Sequence, residues 1–220
     1  TGASTYPPPM RVLILGGNGF IGFEVCRALR LRGHEVTALA RLPGRSAHRL
    51  SGVSWLQGDL RQMQSREDWR LIEGFGAVVN CAGALQSGAG DDVEAVQHGA
   101  MLALYESASM ARLKLIVQIS ARTDGPGADQ AFLKSKRKAD EALKRSRVPF
   151  VVLRPAIVVG RNAHGGSALL RALAAVPFRT PLVHADAAMQ FVALDDVVTA
   201  VADAIEGRVE AGSDLVLASP

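Results

Sequence analysis

Three glycines, Gly16, Gly19 and Gly22 in the string LILGGNGFIG, have the type and spacing that cradle a phosphate between a buried strand and an amphipathic helix. A glycine at the strand end permits a sharp turn, Gly19 lets backbone approach a pyrophosphate, and Gly22 lets helix and strand pack closely. The helix N-terminal amides then meet the phosphates, so Asn18, Phe20 and Ile21 share the expected contact. A site that prefers NAD carries Asp or Glu at the end of the second strand, about 20 residues on, to accept hydrogen bonds from the ribose. Arg41 stands there and Arg45 follows, and two guanidinium forks match a 2′-phosphate. Glu35 lies at the wrong end of that strand to substitute. The expected cofactor is NADP(H) in preference to NAD(H).

Other side chains that could carry chemistry receive plainer readings. Asp195 and Asp196 precede VVTAVADAI and are expected to cap a helix. Cys26 and Cys81 form no pair with zinc-like spacing, so no metal is expected, and the chain reads as a reduced, cytoplasmic protein. The net charge of +4 is spread out, its densest basic run (Lys134, Lys136, Arg137, Lys138, Lys144, Arg145, Arg147) reads as a solvated helix face, and aromatics are 5% of residues. Nucleic-acid binding is not expected from that pattern. The longest apolar run, 148–160, is too short to span a bilayer and contains Arg154 and two prolines. Residues 1–9 lack the basic and apolar parts of a signal peptide and read as a disordered tail.

The elements that must position these residues follow from hydrophobic patterning. Apolar runs predict strands over 11–15, 35–40, 53–57, 77–81, 113–120 and 150–153, and helical stripes predict helices over 91–110 and 130–145. The first helix places Phe20, Ile21, Val25, Ala28 and Leu29 on one face and ends at Gly33. Alternating strands and helices imply an α/β fold, a Rossmann-type doubly wound parallel sheet with helices on both faces. Past Pro155 the pattern loosens into a Gly-rich loop over 160–166, an apolar helix near 168–175, a strand over 190–193, a helix over 196–206 and a last strand over 215–217. At 220 residues and 48% hydrophobic, the chain is expected to form one dinucleotide-binding domain over 10–220.

Taken in order, the motifs resemble the extended and atypical branches of the short-chain dehydrogenase/reductase superfamily. The resemblance rests on GxxGxxG at Gly16, Gly19 and Gly22, then GDL at 58–60, NCAGA at 80–84 and VQISAR at 117–122. FLKSKRKADE at 132–141, RPAIVVG at 154–160 and QFVALDDV at 190–197 extend it over nearly the whole chain. It implies that Asp59 and Leu60 contact adenine, that Cys81, Ala82 and Gly83 run beside the cofactor, and that Pro155 and Ile157 border it. It further implies Lys136 on the nicotinamide ribose and Ser120 at a substrate oxygen. The family's proton-transferring Tyr lies four residues before that Lys, and here the position is Phe132, which cannot transfer a proton.

Arg41, the missing Tyr and ISAR…FLKSKRKADE are similar to the atypical branch that includes the NADPH-binding accessory subunit of respiratory complex I and its bacterial relatives. That resemblance implies a small-molecule substrate, a small C-terminal substrate lobe from about 160, a possible homodimer through the helices after the fourth and fifth strands, and usually more chain beyond the equivalent of Pro220, so that the lobe would be a truncated one. Two functions follow as expectations: an NADP(H)-dependent oxidoreductase or epimerase-like enzyme, and a non-catalytic NADP(H)-binding sensor, assembly or structural protein. Loss of a general acid costs about 10²- to 10⁴-fold in rate, so the enzyme would need water, the ribose hydroxyl or another side chain as relay.

Overall fold

A computed structural model describes residues 8–83, 94–123, 129–161, 175 and 189–219. The chain runs β1 (Arg11–Leu15), α1 (Phe20–Leu31), β2 (Glu35–Ala40), α2 (Gly44–Arg49), β3 (Ser54–Gln57), β4 (Ala77–Asn80) and α3 (Ala100–Met110). It continues through β5 (Leu115–Ile119), α4 (Ala131–Arg145), β6 (Phe150–Pro155), β7 (Ile157–Val159), β8 (Phe191–Ala193), α5 (Leu194–Ile205) and β9 (Asp214–Leu217). Seven strands pair in parallel in the order β3-β2-β1-β4-β5-β6-β9, and β7 pairs with β8 in a separate parallel ribbon. This is the expected doubly wound Rossmann-type sheet. Its strand order reverses between β1 and β4, where crossovers leave in opposite directions and open a crevice at the carboxyl ends.

Strand alternation divides the core. Val12, Ile14, Val79, Val117 and Val151 point to one side, where Val25, Cys26 and Leu29 of α1 and Val197, Val198 and Val201 of α5 cover them. Leu13, Leu15, Val78, Ile116 and Val152 point to the other, beneath Met101 and Leu104 of α3 and Ala139 and Leu143 of α4. The central strands are buried on both faces, which explains why they read as unbroken apolar runs.

Several expectations change at their edges. The helix over 91–110 is described from Glu94, and it opens with a π-turn, Ala95–Gly99, before α3. There the Ala100 amide donates to the Ala95 carbonyl, which also accepts from Gln64 Nε2 at 3.2 Å. α5 begins at Leu194 with Ala193 at its cap, so Asp195 and Asp196 fall inside the first turn rather than at the cap position. Their charges still favour the positive end of the helix. α2 and β7 were not expected. The helix near 168–175 and most of the Gly-rich loop lie outside the described residues.

Candidate functional site

β1 ends at Leu15, and the chain must turn back before α1 starts at Phe20. Gly16 makes the turn at φ +72°, a left-handed conformation costly for a side chain, and a Cβ there would meet Ala82 Cα at 2.9 Å. Gly22 lies against it, and a Cβ at that position would overlap the Gly16 carbonyl oxygen. Gly19 caps α1 and its amide donates to Gly16 O at 2.9 Å. Gly19 offers no side-chain cap, and no acidic residue stands in the first turn of the helix.

A cavity of about 210 Å³ opens at this turn. Gly16, Asn18 and Gly19 line it together with Leu39, Ala40 and Arg41 from the end of β2, and Gly58, Asp59 and Leu60 beyond β3. Cys81, Ala82 and Gly83 beyond β4 and Val96 of the π-turn complete the wall. Arg41 and Asp59 thus share one rim. Asp59 accepts from the Arg61 amide at 3.0 Å and from Arg61 Nε at 2.9 Å; these bonds, with the Arg41 charge, hold its carboxyl below the usual range. A larger open groove of about 780 Å³ lies elsewhere, lined by Ser65, Arg66, Trp69, Arg70, Met110 and neighbours. It holds none of the expected site residues, and exposed ion pairs such as Arg70 with Glu67 mark it as solvated surface.

Behind the cavity is a buried polar layer. Asn80, 2% exposed, accepts from the Ala82 amide at 3.0 Å and donates to Gln118 Oε1 at 2.9 Å, so a buried amide fixes the loop that lines the cavity. Lys136, 5% exposed, donates Nζ hydrogen bonds to Ile119 O at 2.9 Å and Ala82 O at 3.3 Å. Burial pulls its pKa below the ordinary lysine value, with Asp140 and Cys81 acting against the shift. Burial also pushes the Cys81 thiol up to about 12, opposed by Lys136, which makes it a poor nucleophile.

Ser120, expected at a substrate oxygen, turns its hydroxyl to Asp140 Oδ2 at 2.5 Å. Asp140 also pairs with Arg154 at 2.9 Å; Arg154 continues to Asp214 at 2.7 Å, and Lys144 joins Asp214 at 2.5 Å. Burial raises the Asp140 pKa above its ordinary value, against the Ser120 hydrogen bond and the Arg154 and Lys136 charges. Its Oδ1 is buried without a hydrogen-bond partner, which is consistent with a carboxyl poorly compensated for lost water.

The remaining expected residues stand at the edges. Phe20 reaches Gly160: a Cβ on Gly160 would lie 3.1 Å from Phe20 Cζ. Ile21 packs on the α1–α5 core, Arg45 belongs to α2, Pro155 ends β6 and Ile157 begins β7. Sequence reasoning missed Leu39, Ala40 and Val96 as lining residues, and missed the Asp140–Arg154–Asp214 chain. The available signal was Asp140 standing four residues after Lys136, on the same helix face.

The profile of the NAD dependent epimerase/dehydratase family matches residues 12–218, the glycine turn and the last strand included. The chain belongs to this family. An uncharacterized chloroplastic protein of Arabidopsis thaliana is 27% identical over 162 residues, covering 71% of this chain and 53% of that protein. The epimerase family protein SDR39U1 of Bos taurus is 57% identical over 35 residues, 16% of this chain and 12% of its own. This family member therefore spans about half the length of the first relative, or less of the second. The Bordetella bronchiseptica enzyme WbmG, solved in complex with NAD and UDP, superposes with TM-score 0.76 at 23% identity, covering 96% of this chain and 73% of its own. That likeness concerns the fold. Among the described residues no helix is long and apolar enough to cross a membrane, and no group of three or more His, Cys, Asp and Glu could hold a metal.

Proposed function

We propose that this epimerase/dehydratase family protein binds NADP(H) in the crevice at the carboxyl ends of the strands and is an oxidoreductase or epimerase-like enzyme. The observation that carries the reading is that the glycine turn and Arg41 border one cavity, with the N-terminus of α1 beside them. Those groups fit a dinucleotide: α1 amides and Gly16, Asn18, Gly19 and Gly22 take the pyrophosphate, and Arg41 with Arg45 takes the 2′-phosphate. Asp59 and Leu60 flank the adenine, and Cys81 to Gly83, Pro155 and Ile157 border the rest.

When bound, the cofactor supplies or accepts a hydride at its nicotinamide ring. The chain's own part is to orient and to hold protons. Lys136 spends two donors on Ile119 O and Ala82 O, which aims the ammonium at the cavity wall, and its third donor suits a ribose hydroxyl. Ser120 and Asp140 fix the strand end from which a substrate is approached.

A second reading has its own observation. Phe132, half-buried on α4 four residues before Lys136, offers no proton, which favours a protein that holds NADP(H) without turnover. NADPH oxidation against a carbonyl and nucleotide-sugar panel separates the two. The enzyme reading expects wild-type turnover that Phe132→Tyr raises, on the order of tenfold or more, by restoring a general acid. No turnover by either form, alongside micromolar NADPH binding, would sink the enzyme in favour of the binding protein.

A further inference from the structure

Phe132, Lys136 and Asp140 stand one turn apart along one face of α4. The first offers no proton, the second holds the Ile119 and Ala82 carbonyls, and the third carries a carboxyl that is 1% exposed. Asp140 Oδ2 meets Ser120 Oγ at 2.5 Å and Arg154 Nη1 at 2.9 Å, while Oδ1 has no hydrogen-bond partner among the described residues. A proton on this carboxyl therefore has one acceptor at hand, the Ser120 oxygen. Ser120 follows directly on Ile119, whose carbonyl shares the Lys136 ammonium with Ala82 of the cavity wall.

A hydroxyl donates one hydrogen bond and accepts up to two, so the Asp140 proton decides which way Ser120 faces. With Asp140 ionised, Ser120 donates inward, and 2.5 Å suits a hydroxyl on a carboxylate. With Asp140 protonated, the carboxyl donates to Oγ and the Ser120 hydrogen is freed for another acceptor. The packed elements each bring a charged or titratable group to this balance: Lys136 of α4, Arg154 of β6, Tyr105 of α3, and Asp214 of β9 with its partner Lys144. Burial, with the Asp214 charge, holds the carboxyl above its ordinary range against the Ser120 bond, Arg154 and Lys136.

We propose that Asp140 acts through Ser120 as the proton store of the site, supplying from two turns along α4 the proton that Phe132 cannot. Asp140 is thus a positioning residue, and Ser120 is the group that meets a substrate oxygen. The step balances as a carbonyl reduction. The carbonyl carbon gains the hydride given up by the reduced nicotinamide cofactor, and its oxygen takes the Ser120 hydrogen as the C=O π bond breaks. Ser120 takes the Asp140 proton in turn, and the carboxylate left behind pairs with Arg154 until solvent returns a proton. The inference rests on the reading that the crevice holds NADP(H) with its nicotinamide ribose at Lys136.

Calorimetric titration of the full chain with NADP⁺ and with the acid-stable tetrahydro analogue of NADPH, in buffers of different ionisation enthalpy, tests this by counting protons. The oxidised ring carries a positive charge that the analogue lacks, and that charge favours the Asp140 carboxylate. The 2′-phosphate is common to both and cancels in the difference. NADP⁺ should therefore release about half a proton per chain more than the analogue within a window between about pH 4.5 and 7, and Asp140→Asn should abolish that difference. Ser120→Ala removes a hydrogen bond that lowers the Asp140 pKa, so it should move the window to higher pH, and it decides the matter if Asp140→Asn does not fold. No difference in the wild type, a difference that survives Asp140→Asn, or a window that Ser120→Ala leaves in place overturns the inference while NADP(H) binding stands. Absence of binding by both nucleotides overturns the NADP(H) reading and the inference with it.

Discussion

On one face of the sheet, α1 and α5 lay Val25, Leu29, Val197 and Val201 against Val12, Ile14, Val79 and Val117, an apolar interface throughout. On the other face, α3 and α4 cover Leu13, Val78 and Ile116 near the strand centres. Toward the carboxyl ends that same face carries Asn80, Gln118, Ser120, Lys136 and Asp140, all buried and polar. Strand alternation accounts for the partition: Asn80 shares a side with Val78, and Gln118 and Ser120 share one with Ile116. The first face supplies stability through area removed from water. The second gives up part of that gain to hold the loop at Ala82 and the Lys136 ammonium in place, which a purely apolar layer could not orient.

That contrast predicts different responses to substitution, the largest on the apolar face. Leu29→Ala, at a side chain with no exposed surface, should cost about 2–5 kcal/mol in urea unfolding, from lost burial and the cavity left behind. NADPH affinity measured on the folded fraction should not move. A matching loss of affinity would show that the two faces do not divide the work. A smaller, pH-dependent effect is expected on the polar face from Asp140→Asn. Burial raises the folded Asp140 pKa above the ordinary 3.8, so the native state holds this proton to higher pH than the unfolded chain does. The stability contributed by the protonated carboxyl is full below 3.8 and is lost as pH rises through the raised folded value. Wild type should therefore lose stability relative to Asp140→Asn across that window, by less than Leu29→Ala costs. Parallel stability curves for the two proteins would contradict the assignment.

Much of the first face was legible in the sequence because continuous apolar strands and a helical stripe announce burial directly. The glycine turn was equally plain, since only glycine satisfies both the positive φ at Gly16 and the close approach at Gly22. The polar face was harder, because patterning assigns polar residues to solvent. Asp140 in KRKADE looks like one more charge on an exposed helix face, and only its approach to Ser120 and Arg154 reveals otherwise. α2 was missed because Gly44–Arg49 has no apolar stripe, and β7 because Ile157–Val159 follows Pro155 as though it prolonged β6. The π-turn escaped for a different reason: one extra residue per turn barely disturbs a 3.6-residue pattern over so short a span.

The polar face, the glycine turn and Arg41 are assigned to one nucleotide, and the 2′-phosphate decides which. Calorimetric titration of NADPH and NADH into wild type and Arg41→Ala tests that assignment most directly. One NADPH per chain should bind wild type at least about tenfold more tightly than NADH, and Arg41→Ala should remove most of that difference while leaving NADH affinity nearly unchanged. Equal losses for both nucleotides, or no binding of NADPH to the wild type, would contradict it.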